Sequence, residues 1–240
     1  MRMVLYNMRY GTGGGFCWPW QGYLRQTMPN VNQIAEFLTA LNPDIVGLVE
    51  VDGGSFRHRR YHQAEELAAR LGHYHCYRSK YREGSWLHHV PVLNKQGNAF
   101  LTRDTIQQSQ FHFFNRGVKR LVIELELEGL TVFLVHLALK FRVRHQQMGE
   151  LYDLVKSTKK PHLVVGDFNV LWGRDEMNLF LGATGLLNAN REGVPTFPSW
   201  QPKRELDFVF FSKGIQMKDF SVPLVKYSDH LPLVFDFDLQ

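Results

Sequence analysis

The sequence predicts an α/β sandwich: two mixed β-sheets packed face to face, with helices outside. Three observations predict it. Apolar strand-like runs outnumber helical ones. Several neighbouring runs are close enough in sequence to pair antiparallel. No internal repeat, low-complexity tract or Ser/Pro/Gly-rich linker divides the chain, so residues 1–240 read as one domain.

The elements follow in order. Val4-Leu5-Tyr6 opens a strand that ends at Asn7, and a glycine-rich aromatic loop follows (GTGGGFCWPWQGY). Ile34, Phe37, Leu38 and Leu41 recur at helical spacing, and Asn42-Pro43 stops that helix. Residues 45–49 form a buried-strand run that ends at Glu50. Ala64, Leu67, Ala68 and Leu71 mark a second helix, closed by Gly72. Residues 73–96 read as irregular, aromatic and basic, and residues 98–101 as a strand. Leu121, Ile123, Leu125 and Leu127 alternate with polar residues; Glu128-Gly129 then turns the chain into 131–135, which predicts a hairpin. A helix over 142–156 precedes a short strand at 162–165 that runs into Gly-Asp-Phe-Asn. Residues 206–211 and 233–237 are the last strands.

With 240 residues, 44% of them hydrophobic and 21% charged, the chain has a globular composition and length enough for a full core. No apolar run approaches the ~20 residues of a membrane-spanning helix. The N-terminus MRMVLYNMRYG reads as a first strand rather than a signal peptide. Two cysteines, Cys17 and Cys76, are too few for a disulfide framework or a thiolate zinc site, which points to a reducing, cytoplasmic setting. A net charge of +5 favours polyanionic partners, nucleic acid or an acidic membrane surface.

The chemistry gathers at strand ends. Asn7, Glu50, His136, Asp167 and Asn169 each sit at or just past the end of an apolar strand. Asp207 starts one, and Asp229-His230 precedes another. Side chains at strand ends are held rigidly and project into the crevice where ligands bind. Carboxylates, amides and imidazoles without a thiolate suit Mg²⁺ or Mn²⁺. Singly, each residue also has an ordinary structural use: Gly-Asp-x-Asn makes turns, and a lone histidine on an apolar strand is commonly a satisfied core residue.

Taken in order, YNMRYG, PDIVGLVEVD, GNAFLTR, FLVHL, VVGDFN, LDFVF and SDHLPL resemble the endonuclease/exonuclease/phosphatase superfamily over nearly the whole chain. The resemblance implies a four-layer αββα sandwich, deoxyribonuclease I-like, and hydrolysis of phosphodiester bonds with Mg²⁺, Mn²⁺ being a possible substitute. It implies that Glu50, Asn7 and Asp229 form the metal shell, that Asn169 contacts the scissile phosphate, and that His136 donates to a phosphate oxygen. Asp207 accepts from a ring nitrogen of His230, fixing its tautomer. Either Asp167 or the His230–Asp207 pair activates the attacking water. The metal neutralises charge on the phosphate and on the leaving oxygen, as one ion or two. Asn98, from GNAF, lines the cleft.

Loops suggest the substrate. The glycine-rich loop lacks the Gly-Lys-Ser/Thr ending of a triphosphate-binding loop, and reads instead as a lid with Trp18 and Trp20 able to stack or wedge. Arg57-His58-Arg59-Arg60 and Tyr61, then Tyr74, Tyr77, Arg78, Lys80, Tyr81, Arg82 and Trp86, interleave cations with aromatics as single-stranded nucleic acid requires. Arg116, Lys119 and Arg120 form a further cluster, and Pro198, Trp200 and Arg204 a cleft wall. The expected protein is a monomeric nuclease with Arg116, Asn98, Trp200 and Arg204 on the substrate. At Glu50, Leu-Val-Glu-Val replaces the Gln-Glu-x-Lys of the abasic-site endonucleases, so repair of abasic sites is not the expected reaction. The alternatives are a sphingomyelinase-type phospholipid phosphodiesterase, which calls for an exposed apolar or aromatic wedge, a phosphomonoesterase, and a non-catalytic binding protein.

Overall fold

The computed structural model describes residues 1–15, 27–81 and 89–240. Its strands are β1 (Arg2–Asn7), β2 (Ile45–Asp52), β3 (Tyr74–Ser79), β4 (Gln96–Thr102), β5 (Gln108–Phe113), β6 (Leu121–Leu127), β7 (Leu130–His136), β8 (His162–Asp167), β9 (Leu187–Asn188), β10 (Asp207–Phe211), β11 (Ile215–Ser221) and β12 (Leu233–Leu239). The helices are α1 (Met28–Leu41), α2 (Gln63–Leu71), α3 (Phe141–Val155) and α4 (Asn178–Thr184).

Two six-stranded mixed sheets result, one in the order β11-β12-β1-β2-β4-β3 and the other β5-β6-β7-β8-β10-β9. Period-two alternation drives their stacking. Met3 and Leu5 of β1 face Leu121, Ile123, Leu125 and Leu127 of β6 across the central core. Val4 and Tyr6 face the other way, onto Val31, Ile34 and Leu38 of α1 and Ala64 and Leu67 of α2. On the far side, Val122, Phe133 and Val135 pack against Met148, Leu151 and Val155 of α3 and Phe180 of α4. The layers are therefore helix, sheet, sheet, helix, as expected.

Helix α1 stops where the sequence said it would: Asn42 turns left-handed (φ 48°) and donates its N–H to Leu38 and Thr39. The expectation of irregular backbone over 73–96 is corrected by β3, which pairs antiparallel with β4. Its sequence, YHCYRS, lacks apolar alternation because β3 is an edge strand with much of its surface exposed. The other strands not expected, β5, β9 and β11, are also sheet edges, and α4 is a short helix. Among the described residues, no helix is long and apolar enough to cross a membrane.

Candidate active site at the strand ends

Register brings the site together. Strand β8 lies between β7 and β10, and Asp167 is the partner of His136 on one side and of Asp207 on the other. Side chains directly opposite in adjacent strands share a face, so these three groups stand side by side. Gly166 makes the spacing possible: a Cβ there would lie 2.0 Å from the Val135 carbonyl oxygen. In the other sheet, β1, β2 and β4 are neighbours and supply Asn7, Glu50 and Asn98. The β2–β4 register shifts between Leu48 and Val51, and Glu50 sits in that irregularity with φ 57°. Such bulges re-aim a side chain, and a strained non-glycine residue needs support. Asn98 supplies it, its side-chain oxygen accepting the Glu50 N–H at 3.2 Å.

Asp167 is the hub. Its Oδ2 accepts from Asn7 Nδ2 at 3.1 Å and lies 3.2 Å from His136 Nε2. Its Oδ1 accepts the Asn169 N–H at 2.9 Å. His230 pairs Nδ1 with Asp207 Oδ2 at 2.7 Å and turns Nε2 toward Asp167, 4.0 Å away. Thr196 donates its hydroxyl to the same Asp207 oxygen at 2.6 Å, and the Phe197 ring packs 4.9 Å from the His230 ring. Glu50 Oε1 is 3.8 Å from Lys119 Nζ and 3.9 Å from His136 Nε2, and Lys119 Nζ also contacts His136 Nε2. Asp229 pairs with Arg9 at 3.3 Å.

These contacts set the charges. Burial opposes the charged His230 ring, but Asp207, Asp167 and Asp229 outweigh it and push the group up to about 10. Burial likewise opposes ionised Asp167, yet the hydrogen bond and charge of His136, with His230 and Lys119, hold it well below the usual carboxylate range. Glu50 is lowered despite burial, by Lys119, His136 and Lys80. Burial and then Lys119 lower His136, against Asp167 and Glu50. Asp229 is raised, because burial outweighs His230 and Arg9.

Asn7, Glu50, His136, Asp167, Asn169, Asp207, Asp229 and His230 thus meet at one rim of the sandwich. Asn98 is buried and acts on the Glu50 backbone instead of lining the cleft. Asn169 places its amide on the Leu137 carbonyl at 2.9 Å. Arg116, Trp200 and Arg204 are exposed, and Arg204 pairs its backbone with Phe197. The cation–aromatic reading of 57–60 is corrected. Arg57 and His58 are buried, Arg57 on Asp52 at 2.9 Å and His58 between Thr27 and Glu66. Both polar side chains turn inward because buried acceptors await them, whereas Arg59, Arg60 and Tyr61 are exposed. The expectations for Trp18, Trp20, Arg82 and Trp86 lie outside the described residues. Arg9, Thr196 and the inward reach of Lys119 were not anticipated; the last appeared in the sequence only as one of a cluster of basic residues.

A divalent cation fits this donor set. Glu50, Asp167, Asp207 and Asp229 bring four carboxylates to the rim, and Asn7 an amide. Asp207 Oδ1 is buried and, among the described residues, has no hydrogen-bond partner. Ligand atoms of Asp167, Asp207 and His230 lie within 4.8 Å of one another. Oxygen-dominated sets of this kind suit Mg²⁺ or Mn²⁺.

Comparison with known proteins meets the same fold. A functionally unknown conserved protein of Enterococcus faecalis superposes with a TM-score of 0.75 at 16% identity, covering 100% of both chains. The human nocturnin catalytic domain with bound sulfate gives 0.69 at 21%, covering 100% of this chain and 93% of that one. A Bacteroides thetaiotaomicron mannosyl-6-phosphatase gives 0.71 at 14%, covering 100% of both. A UPF0294 protein of Yersinia pseudotuberculosis is 31% identical over 111 residues, 45% of this chain and 41% of that protein. A UPF0294 protein of Erwinia tasmaniensis is 28% identical over 120 residues, 49% and 43% respectively, so the match spans less than half of these curated relatives. Residues 4–230 match the endonuclease/exonuclease/phosphatase family, and nearly all of the rim lies within that span. With motif order, sandwich topology and sequence match in agreement, the chain belongs to the endonuclease/exonuclease/phosphatase family, a superfamily of metal-dependent phosphodiesterases and phosphatases.

Proposed function

We propose that this chain hydrolyses phosphodiester bonds by metal-assisted, in-line attack of water, with nucleic acid as its substrate. The observation that carries the chemistry is the meeting of Glu50, Asp167, His136 and the His230–Asp207 pair at one rim. Glu50, Asn7 and Asp229 would hold a divalent cation, with Asp167 beside them. Such an ion supplies charge neutralisation at the phosphate and at the leaving oxygen. Asp167, kept ionised by its donors, orients the water and receives its proton. His230, charged at neutral pH because of Asp207, donates from Nε2 to the phosphoryl oxygen as negative charge grows there. Asp207 and Thr196 hold the ring in place. His136 and Asn169 position the phosphate. The +5 net charge and the exposed Arg59, Arg60 and Arg116 support a polyanionic substrate.

One observation favours phospholipid as a second reading. Leu139, Phe141, Trp172 and Leu179 are exposed large apolar side chains. Phe141 and Trp172 pack edge to face at 6.3 Å, on segments that follow His136 and Asn169. A substrate panel tests both readings: plasmid DNA, abasic duplex, single-stranded RNA, sphingomyelin and inositol phosphates, each with Mg²⁺ and with EDTA. Metal-dependent cleavage of DNA or RNA is the expected result. Turnover of sphingomyelin alone would transfer the proposal to lipid, and no turnover of any member would contradict it.

A further inference from the structure

Lys119 lies in a loop that is tied down at several points. Gln147 of α3, fully buried, donates its amide to the Lys119 carbonyl at 2.7 Å and to the Arg116 carbonyl at 2.8 Å. The same side chain accepts the Ala138 N–H at 2.8 Å, just past His136. Asn115 is held by Glu150 through its N–H at 2.9 Å and its side-chain amide at 3.0 Å. Gly117 has φ 103°, and a Cβ there would come within 2.7 Å of Gln147 Nε2. A lysine that merely decorated the surface would need none of this.

The contacts at its tip are incomplete. An imidazole nitrogen either donates one hydrogen bond or accepts one. His136 Nε2 faces Asp167 Oδ2 at 3.2 Å, which calls for donation. It also faces Lys119 Nζ, which can only donate. Both demands are met at once only if an anionic oxygen enters beside the two nitrogens and takes a hydrogen from each. Glu50 does not fill that role: its Oε1 is 3.8 Å from Lys119 and 3.9 Å from His136, beyond hydrogen-bond length.

We propose that Lys119 is a substrate-binding residue that, with His136, forms a two-donor grip on one non-bridging phosphoryl oxygen. The inference rests on the phosphoester reading of the same cleft. Lys119 adds a full positive charge on the side of the cleft opposite the His230–Asp207 pair, and so favours phosphoryl groups that carry more negative charge.

The test uses inorganic phosphate as the probe, titrated calorimetrically into the full-length protein in EDTA and again with Mn²⁺. Lys119→Met is expected to weaken phosphate binding about 10-fold or more, with Lys119→Arg recovering part of the loss and the melting temperature unchanged. Lys119→Gln carries the same comparison if the methionine variant folds poorly. Were Lys119 only a counter-ion to Glu50, its loss would tighten Mn²⁺ binding and leave phosphate affinity as it was; that result overturns the proposal while the phosphoester reading survives. If wild-type protein binds no phosphate, or binds it equally well after His136→Ala, the phosphoester reading fails and the grip with it.

Discussion

In the loop after β2, Arg57 and His58 turn inward onto Asp52, Thr27 and Glu66. In the loop after β5, Lys119 turns to the cleft beside Glu50 and His136. The two segments, RHRR at 57–60 and RGVKR at 116–120, are near equals in composition. Their fates differ because of what surrounds them. The first loop closes over Asp52, a buried carboxylate that already accepts the backbone N–H groups of Gly54 and Ser55 and the Ser55 hydroxyl. Its cations complete a buried network at the base of the β2 end. The second loop is pinned through its carbonyls by Gln147, which leaves the Lys119 side chain to reach the carboxylates. A run of positive charge thus says little about a ligand until the acceptors around it are known.

That contrast can be broken or sharpened by experiment. The largest effect on stability is expected at Arg57. Removing one partner of a buried ion pair costs about 3–5 kcal/mol, so Arg57→Ala should lower the denaturant midpoint sharply, whereas Lys119→Met should shift stability by less than ~1 kcal/mol. Equal losses in both variants would erase the distinction between the loops. Gly166→Ala comes next: its methyl must displace the Val135 carbonyl, at an overpacking cost of about 1–3 kcal/mol, and turnover should fall with it because Asp167 follows in the chain. Normal activity in a stable Gly166→Ala protein would show that the tight β7–β8 approach does not set the site.

The His230–Asp207 pair predicts a pH dependence. The folded pKa is raised to about 10, so the pair's stabilisation is complete below the ordinary histidine value near 6.5. It drains away as pH rises through 10. The melting temperature of wild-type protein should therefore fall between pH 7 and pH 10 more steeply than that of Asp207→Asn. Parallel profiles would mean that the pair is not ionised as described. The smallest effect belongs to exposed Arg116. Arg116→Ala should leave stability within about 0.5 kcal/mol while making the salt dependence of single-stranded RNA binding shallower by about one unit of slope. No change in slope would remove Arg116 from the nucleic-acid path. Strong binding to anionic vesicles, lost in Trp172→Ser, would favour the lipid reading.

The sequence made the sheet interiors legible and left their edges dark. All eight interior strands carry apolar runs or alternation, because both of their faces are covered. The edge strands β3, β5, β9 and β11 pair on one side only, and sequences such as YHCYRS and QSQFHF need no apolar period to do so. The site divides in a similar way. Asn7, Glu50, His136, Asp167 and Asp207 were readable as polar residues ending or starting apolar runs, and register brings them together. Arg9, Thr196 and Lys119 come from loops, where no period announces which side chain turns inward. Asn98 was readable as a strand residue, but its use on the Glu50 backbone depends on a bulge that only the three-dimensional pairing reveals.

The central claim is that strand ends from both sheets build one metal-dependent phosphoester site. Its most direct test is a Mg²⁺ titration of metal-stripped protein, following bis-p-nitrophenyl phosphate hydrolysis in wild type, Glu50→Ala and His230→Ala. The account predicts saturable activation in wild type, none in Glu50→Ala, and a rate about 10²–10⁴-fold lower in His230→Ala, with all three equally folded by circular dichroism. Full, EDTA-resistant hydrolysis in folded Glu50→Ala would contradict it.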